Sequence, residues 1–298
     1  MNAIVNQAQI ERASLQRLVD TIDGSTIDAF EWILQAFREG HHDSSVLKIL
    51  HESGWHQEVS RQMVKSVQAW RASNETLVHS VGQPSPDLDN FPALLNAGDR
   101  AVQVQLSLDT PKIVVFGNLL SSSECDAIVN SARPHLTPSK VVNMTTGGDF
   151  LDDSRTSYGM FFNRGQTPEV KLLEDRIARL VGWPVEKGEG VQVLKYGVGA
   201  EYKPHYDYFD PSVAATKDII KRAGNRVGTV VVYLNDVTNG GGTYFPDVGL
   251  RVYPKKGSAV FFGYPTAHPS SLSLHGGDPV ISGEKWIATK WLRQENFT

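Results

Sequence analysis

Apolar residues recur every three or four positions through the first part of the chain. Ile27, Phe30, Ile33, Leu34 and Phe37 fall on one helical stripe, with Asp23 or Ser25 as caps ahead of it and Gly40 as a stop. A second helix is predicted from Asp43 or Ser44, carrying Val46, Leu47 and Leu50 and ending at Gly54. A third covers about 57–71 and an earlier one about 7–21. No self-similarity of solenoid type links them. Residues 1–80 therefore read as a small all-α region. The stretch VGQPSPDLDNFPALLNAGD, with three prolines and several turn formers, makes 81–102 a linker.

Beyond residue 103 the pattern turns strand-rich. Strands are predicted at 102–108, 112–116, 190–196, 226–234, 250–253, 258–263 and 285–293. Helices are predicted at 121–132, with Ser122 or Ser123 near the cap, and at 169–181, behind Pro168 at the first helical position. Many short strands separated by glycine, proline and asparagine suggest a sandwich or barrel, so 103–298 reads as one α+β domain.

Composition narrows the setting. The 298 residues are 40% apolar and 21% charged, enough for a sizeable core. A net charge of −4 shows no basic excess, which weighs against nucleic acid as a partner. The single cysteine, Cys125, excludes an intrachain disulfide and reads as a small buried residue of a helix. The opening MNAIVNQAQIERASLQ lacks the basic and apolar regions of a secretory signal, and no run approaches the ~18 apolar residues of a membrane span. The expectation is a cytoplasmic protein without a membrane partner.

The chemistry concentrates late in the chain. On an extended strand His205 and Asp207 share a face, with Tyr206 turned away. One imidazole and one carboxylate are two thirds of a facial metal triad. His275, in a short apolar segment before a Gly-Gly turn, can supply the third ligand. His41 and Asp43 repeat the spacing, but in a turn between two helices. His268 has no carboxylate two residues away, and His135 follows a proline in a polar stretch. Ten residues after His275 comes Lys285, heading the alternating strand KWIATKWLR, in which Lys285, Ile287, Thr289, Trp291 and Arg293 share a face. A lysine turned into a barrel is costly unless it meets an anion; the alternative is a solvent-exposed strand end.

An ordered series extends these pieces. DDSRTSYGMFF (152–162) is followed by GEGVQVLKYGVGAEYKPHYDYFDP (188–211). TVVVYLNDVTNGGGTYFPDVGLRVYPKKGSAVFF (229–262) and LHGGDPVISGEKWIATKWL (274–292) complete it. Over about 110–298 the chain resembles the 2-oxoglutarate/iron(II) oxygenase superfamily, in its prolyl 4-hydroxylase branch. The resemblance implies a double-stranded β-helix, or jelly roll, with flanking helices. It implies His205, Asp207 and His275 as iron ligands, and Lys285, Tyr196 and Thr243 as contacts of 2-oxoglutarate. Trp291 would line the metal-side cavity, and Arg155 and Tyr202 would line the substrate groove. Gly240, Gly241 and Gly242 have no following helix to cradle phosphate and read as a tight turn or bulge.

The implied reaction consumes dioxygen and 2-oxoglutarate, with ascorbate as reductant, and yields succinate and carbon dioxide as a C–H bond is hydroxylated. Peptidyl proline, giving 4-hydroxyproline, is the substrate the branch suggests. A free amino acid or other small metabolite stays open. So do a nucleic-acid demethylase, disfavoured by the acidic balance, and a non-catalytic metal-binding jelly roll, which would have no need of the Lys285 anchor. The N-terminal helices could form a homodimer, bind a partner or cap the catalytic domain.

Overall fold

A computed structural model describes residues 12, 15–16, 18–38, 41–80, 83–139, 141–142, 149–150 and 156–298, with backbone alone for 71–80, 141–142 and 149–150. The chain divides into two compact units, 1–82 and 83–298.

In the first unit the helices include Ile27–Arg38, Asp43–Glu52 and Gln57–Ser80; of the helix predicted at about 7–21, residues 12, 15–16 and 18–19 are helical and most of the rest lies outside the described residues. The predicted stripe is its core: Phe30, Ile33, Leu34 and Phe37 are buried with Val46, Leu50, Met63 and Val67. Burial of each such side chain stabilises by ~1.5–3 kcal/mol. The cap differs from expectation. Thr26, not Asp23 or Ser25, accepts the Ala29 amide through its hydroxyl. The predicted stop Gly40 lies outside the described residues.

Among its described residues the second unit carries seventeen strands, all paired antiparallel. They are β1 (Leu94–Asn96), β2 (Ala101–Leu108), β3 (Ile113–Gly117), β4 (Thr137–Pro138), β5 (Val141–Val142), β6 (Asp149–Phe150), β7 (Tyr158–Phe162), β8 (Val191–Tyr196) and β9 (Tyr202–His205). They continue as β10 (Arg226–Tyr233), β11 (Asn239–Gly240), β12 (Thr243–Phe245), β13 (Leu250–Val252), β14 (Ala259–Gly263), β15 (His275–Gly277), β16 (Val280–Ser282) and β17 (Lys285–Arg293). The large sheet runs β1-β2-β3-β14-β10-β17-β8-β7-β4 and the small one β13-β12-β15-β9. From β8 on, the chain crosses repeatedly between them: β8 large, β9 small, β10 large, β12 and β13 small, β14 large, β15 small, β17 large. Two antiparallel sheets wound in this way form the double-stranded β-helix.

Strand alternation builds two cores. On β17, Trp286, Ala288 and Leu292 face a layer holding Cys125 and Ile128 from helix Ser122–Ala132 and Leu173 and Ile177 from helix Pro168–Val181. Ile287 faces the other way, into the core between the sheets with Val231, Tyr233, Phe245 and Phe262. Helix Ser122–Ala132 is capped one residue earlier than predicted. Ser121 accepts the Glu124 amide and Glu124 returns to the Ser121 amide, a full capping box.

The stretch read as a linker departs from that reading. From Gln83 it belongs to the second unit, where Pro84 and Pro86 are buried, the Ser85 amide donates to the Val181 carbonyl, and 94–96 form β1. Leu88 and Leu95 from the stretch pack against the core of the second unit.

Candidate active site

Pairing of β9 with β15 sets His205 directly opposite His275, with ring centroids 4.4 Å apart. The expected Gly-Gly turn after His275 is instead the body of β15. Gly276 is needed there for close approach, since a Cβ would lie 2.9 Å from the Tyr202 carbonyl oxygen and from the Tyr244 ring. Asp207 sits just past the end of β9, in a bend rather than on the strand. Its Oδ1 is 3.6 Å from His205 Nε2 and its Oδ2 is 3.5 Å from His275 Nε2.

Both imidazoles are oriented alike. His205 Nδ1 lies 2.9 Å from the Lys203 carbonyl and His275 Nδ1 lies 3.0 Å from the Ser273 carbonyl. A carbonyl only accepts, so each Nδ1 carries a proton and each Nε2 is turned towards Asp207. Burial pushes His275 down to about 4 against the pull of Asp207, so its imidazole is neutral at physiological pH. Burial alone would raise the Asp207 carboxyl, but His275, His205 and Arg226 outweigh it and hold it well below the usual carboxylate range. Two imidazoles and an ionised carboxylate, with donor atoms within 4.8 Å of one another, fit one divalent ion of the iron type. It is the sole such cluster found among the described residues.

Residues that the sequence did not single out support the carboxylate. Thr229 donates to Asp207 Oδ2 at 2.7 Å and lies 2.8 Å from the Tyr264 hydroxyl. Arg226 reaches the Asp207 carbonyl at 3.3 Å and forks onto both oxygens of buried Glu189 at 2.7 and 2.9 Å. Arg293 closes the group with a 3.0 Å bond to Glu189. Arginine and glutamate facing each other from β10, β17 and the β8 approach leave no periodic signal in the sequence.

Next to the triad, a cavity between the sheets is bordered by Tyr196, Tyr202, His205, Asp207, Thr243, His275, Lys285 and Trp291. Every candidate residue except Arg155 therefore meets at one place; Arg155 lies outside the described residues. Lys285 is 3% exposed, with Nζ 5.4 Å from the ring centroid of Tyr196, its cross-strand partner. Burial pushes the Lys285 ammonium down to about 8, with Asp278 opposing. Thr243 accepts a 2.8 Å bond from the buried Tyr233 hydroxyl. Trp291 stacks beneath the Arg226 guanidinium at 3.9 Å, and Tyr202 stacks on the His205 ring at 3.7 Å. Gly240 and Gly241 adopt left-handed φ values of 79° and 67°, and the β11–β16 register slips at Gly240, the expected bulge before β12.

His205 and Asp207 also border a cleft of about 1160 Å³, together with Phe161, Tyr206, Tyr208, Arg226, His268 and Trp291 among others. Tyr206 stacks on Tyr208 at 4.9 Å along it. His268 is exposed, and its Nδ1 accepts the Ser270 amide. His41 and Asp43 are exposed in the first unit.

The model for the 2OG-Fe(II) oxygenase superfamily matches residues 191–293, the span that holds the triad and Lys285. Prolyl 4-hydroxylase 5 of Arabidopsis thaliana is 40% identical over 221 residues, covering 67% of this chain and 74% of that protein. Prolyl 4-hydroxylase 1 of the same plant is 38% identical over 247 residues, covering 77% and 84%. A solved viral collagen prolyl hydroxylase from Paramecium Bursaria Chlorella virus-1, in complex with 2OG, is 28% identical with a TM-score of 0.48, covering 61% of this chain and 95% of that one. The chain belongs to the prolyl 4-hydroxylase family of 2OG-Fe(II) oxygenases and is a 2-oxoglutarate-dependent dioxygenase.

Proposed function

We propose that the protein hydroxylates proline within extended, proline-rich peptides, with His205, Asp207 and His275 holding iron. The carrying observation is that His205 and Asp207 border two different spaces: the Lys285 cavity and the large aromatic cleft. The first suits a small dicarboxylate. Lys285 would take its distal carboxylate in a charge-assisted bond, beside Tyr196 and the Thr243 hydroxyl. The second is large and lined by Phe161, Tyr206, Tyr208 and Trp291, the kind of surface that receives a polyproline II segment. Iron and 2-oxoglutarate, when bound, supply the oxidising chemistry that converts dioxygen and 2-oxoglutarate to succinate, carbon dioxide and a hydroxylated C–H bond.

The residues of this chain do the rest. Lys203 and Ser273 fix the imidazoles through their carbonyls, and Thr229 fixes the carboxylate. Tyr202 and Trp291 flank the triad and shield it from water while a peptide lies across it. Ascorbate serves as the external reductant.

The test supplies iron(II), 2-oxoglutarate and ascorbate with either a proline-rich peptide or free proline. Succinate release and a one-oxygen mass gain on the peptide are expected, with both lost in His275→Ala. A mass gain on free proline alone would replace the peptide reading with a small-molecule one. No succinate with either would contradict it.

A further inference from the structure

Lys285 is buried, yet among the described residues no carboxylate is in ion-pair contact with its ammonium. The negative charge that reaches it belongs to Asp278. Asp278 is next in the chain to Gly277, and a Cβ on Gly277 would sit 3.6 Å from Lys285 Nζ. A carboxylate anchored so close is a ready competitor for the lysine. It is held elsewhere. Arg251 Nε and Nη2 donate to its two oxygens at 2.6 and 3.2 Å. Arg251 is set on β13 opposite Tyr244 of β12, and its guanidinium lies 5.6 Å from the Tyr244 ring centroid. Gly242 leaves room for the clamp, since a Cβ there would fall 2.7 Å from Asp278 Oδ2 and 3.1 Å from Arg251 Cγ.

We propose that Arg251 is a positioning residue for the cosubstrate: by clamping Asp278 it keeps the Lys285 ammonium open to the distal carboxylate of 2-oxoglutarate. The inference rests on the reading of Lys285 as the anchor. An unclamped Asp278 acts twice in one direction. It competes for the ammonium, and its uncompensated charge repels the incoming dianion. The clamped pair is neutral as a unit, so losing both charges together matters far less than losing the arginine alone. The Arg251 side chain is 47% exposed, and water screens the effect. The expected size is about three- to tenfold in affinity.

The experiment is calorimetric titration of 2-oxoglutarate into the full-length protein loaded with manganese(II), under nitrogen and at pH 6.5, where Lys285 is protonated. Arg251→Ala is expected to raise the dissociation constant by about three- to tenfold. Asp278→Asn should bind at least as tightly as wild type, because it leaves the arginine charge unopposed. The double variant Arg251→Ala/Asp278→Asn should return to within about twofold of wild type. Unchanged affinity in Arg251→Ala overturns the proposal. So does a double variant as weak as the single, or an Asp278→Asn as weak as Arg251→Ala, which would make the pair a mere brace between strands. Lys285→Met separates the two ideas: if it binds 2-oxoglutarate like wild type, the anchor reading fails; if it alone loses binding, the anchor stands and the clamp falls.

Discussion

Thr229 donates a 2.7 Å hydrogen bond to Asp207 Oδ2, the same oxygen that faces His275 Nε2 at 3.5 Å. One hydroxyl on the large sheet thereby orients a ligand carried past the end of a strand in the small one. Thr229→Val keeps the shape and removes the bond. Metal affinity is expected to fall about 10- to 100-fold, the usual cost of losing a partner that orients a ligand. Tyr264 loses its hydrogen-bond partner as well, so stability should drop by ~1–3 kcal/mol. Manganese(II) titration of a folded variant checks the first; wild-type affinity would mean that Asp207 is positioned without Thr229.

Glu189 stands between Arg226 and Arg293, and all three are largely buried. Glu189→Gln would leave two guanidiniums facing a neutral amide, a loss of ~3–5 kcal/mol by urea denaturation. The same group predicts an acid sensitivity. Burial would raise the Glu189 carboxyl, but Arg226 and Arg293 outweigh it and the folded value lies below the ordinary one. Its contribution is thus fully present above the unfolded value of about 4.3 and disappears as pH falls through the depressed folded value. The wild-type protein should lose stability more steeply than Glu189→Gln below about pH 4; parallel curves would show that the carboxylate is not the source.

The triad was legible because each ligand type carries its own chemistry and because Lys285 follows His275 at the head of a clearly alternating strand. The long strands and the helices Ser122–Ala132 and Pro168–Val181 of the catalytic unit were legible for the same reason, periodicity over enough residues; the seven-residue helix Lys217–Ala223 was too short to show one. The short strands of the small sheet were not. β12 and β15 have three residues each, too few for an alternation to show, and β15 is His-Gly-Gly, a sequence that reads as a turn. Its glycines serve interstrand approach, which depends on Tyr202 and Tyr244, distant in sequence. The Glu189–Arg226–Arg293 group was hidden likewise: each partner looks like a surface charge until the sheet folds them together.

Lys285 gives the cosubstrate site its own pH dependence. Its ammonium is pushed down to about 8 by burial. Only the protonated form attracts a carboxylate, so binding above that pH must take up a proton. The affinity for 2-oxoglutarate is expected to be flat between about pH 6.5 and 7.5 and to fall up to tenfold per unit above about 8. Lys285→Met should be weak and lack this fall, while keeping its manganese(II) affinity. A wild-type affinity constant up to pH 9 would show that the ammonium does not titrate in this range.

Gly276 and Gly277 are adjacent and both lie in β15, yet their alanine variants should fail in opposite ways. A Cβ on Gly276 meets the Tyr202 backbone oxygen at 2.9 Å, and backbone cannot swing aside as a side chain can. Gly276→Ala must push β15 away from β9, and with it His275 away from His205. Loss of metal affinity and a lower unfolding midpoint are expected together. A Cβ on Gly277 meets nothing nearer than Lys285 Nζ at 3.6 Å, an ordinary contact, so the fold and the metal site should tolerate it. The added methyl stands beside the ammonium, where the cosubstrate carboxylate has to arrive. Gly277→Ala should therefore bind manganese(II) normally and 2-oxoglutarate several-fold more weakly. Equal loss of metal in both variants would show that the strand is intolerant as a whole and that the division of labour between the two glycines is mistaken.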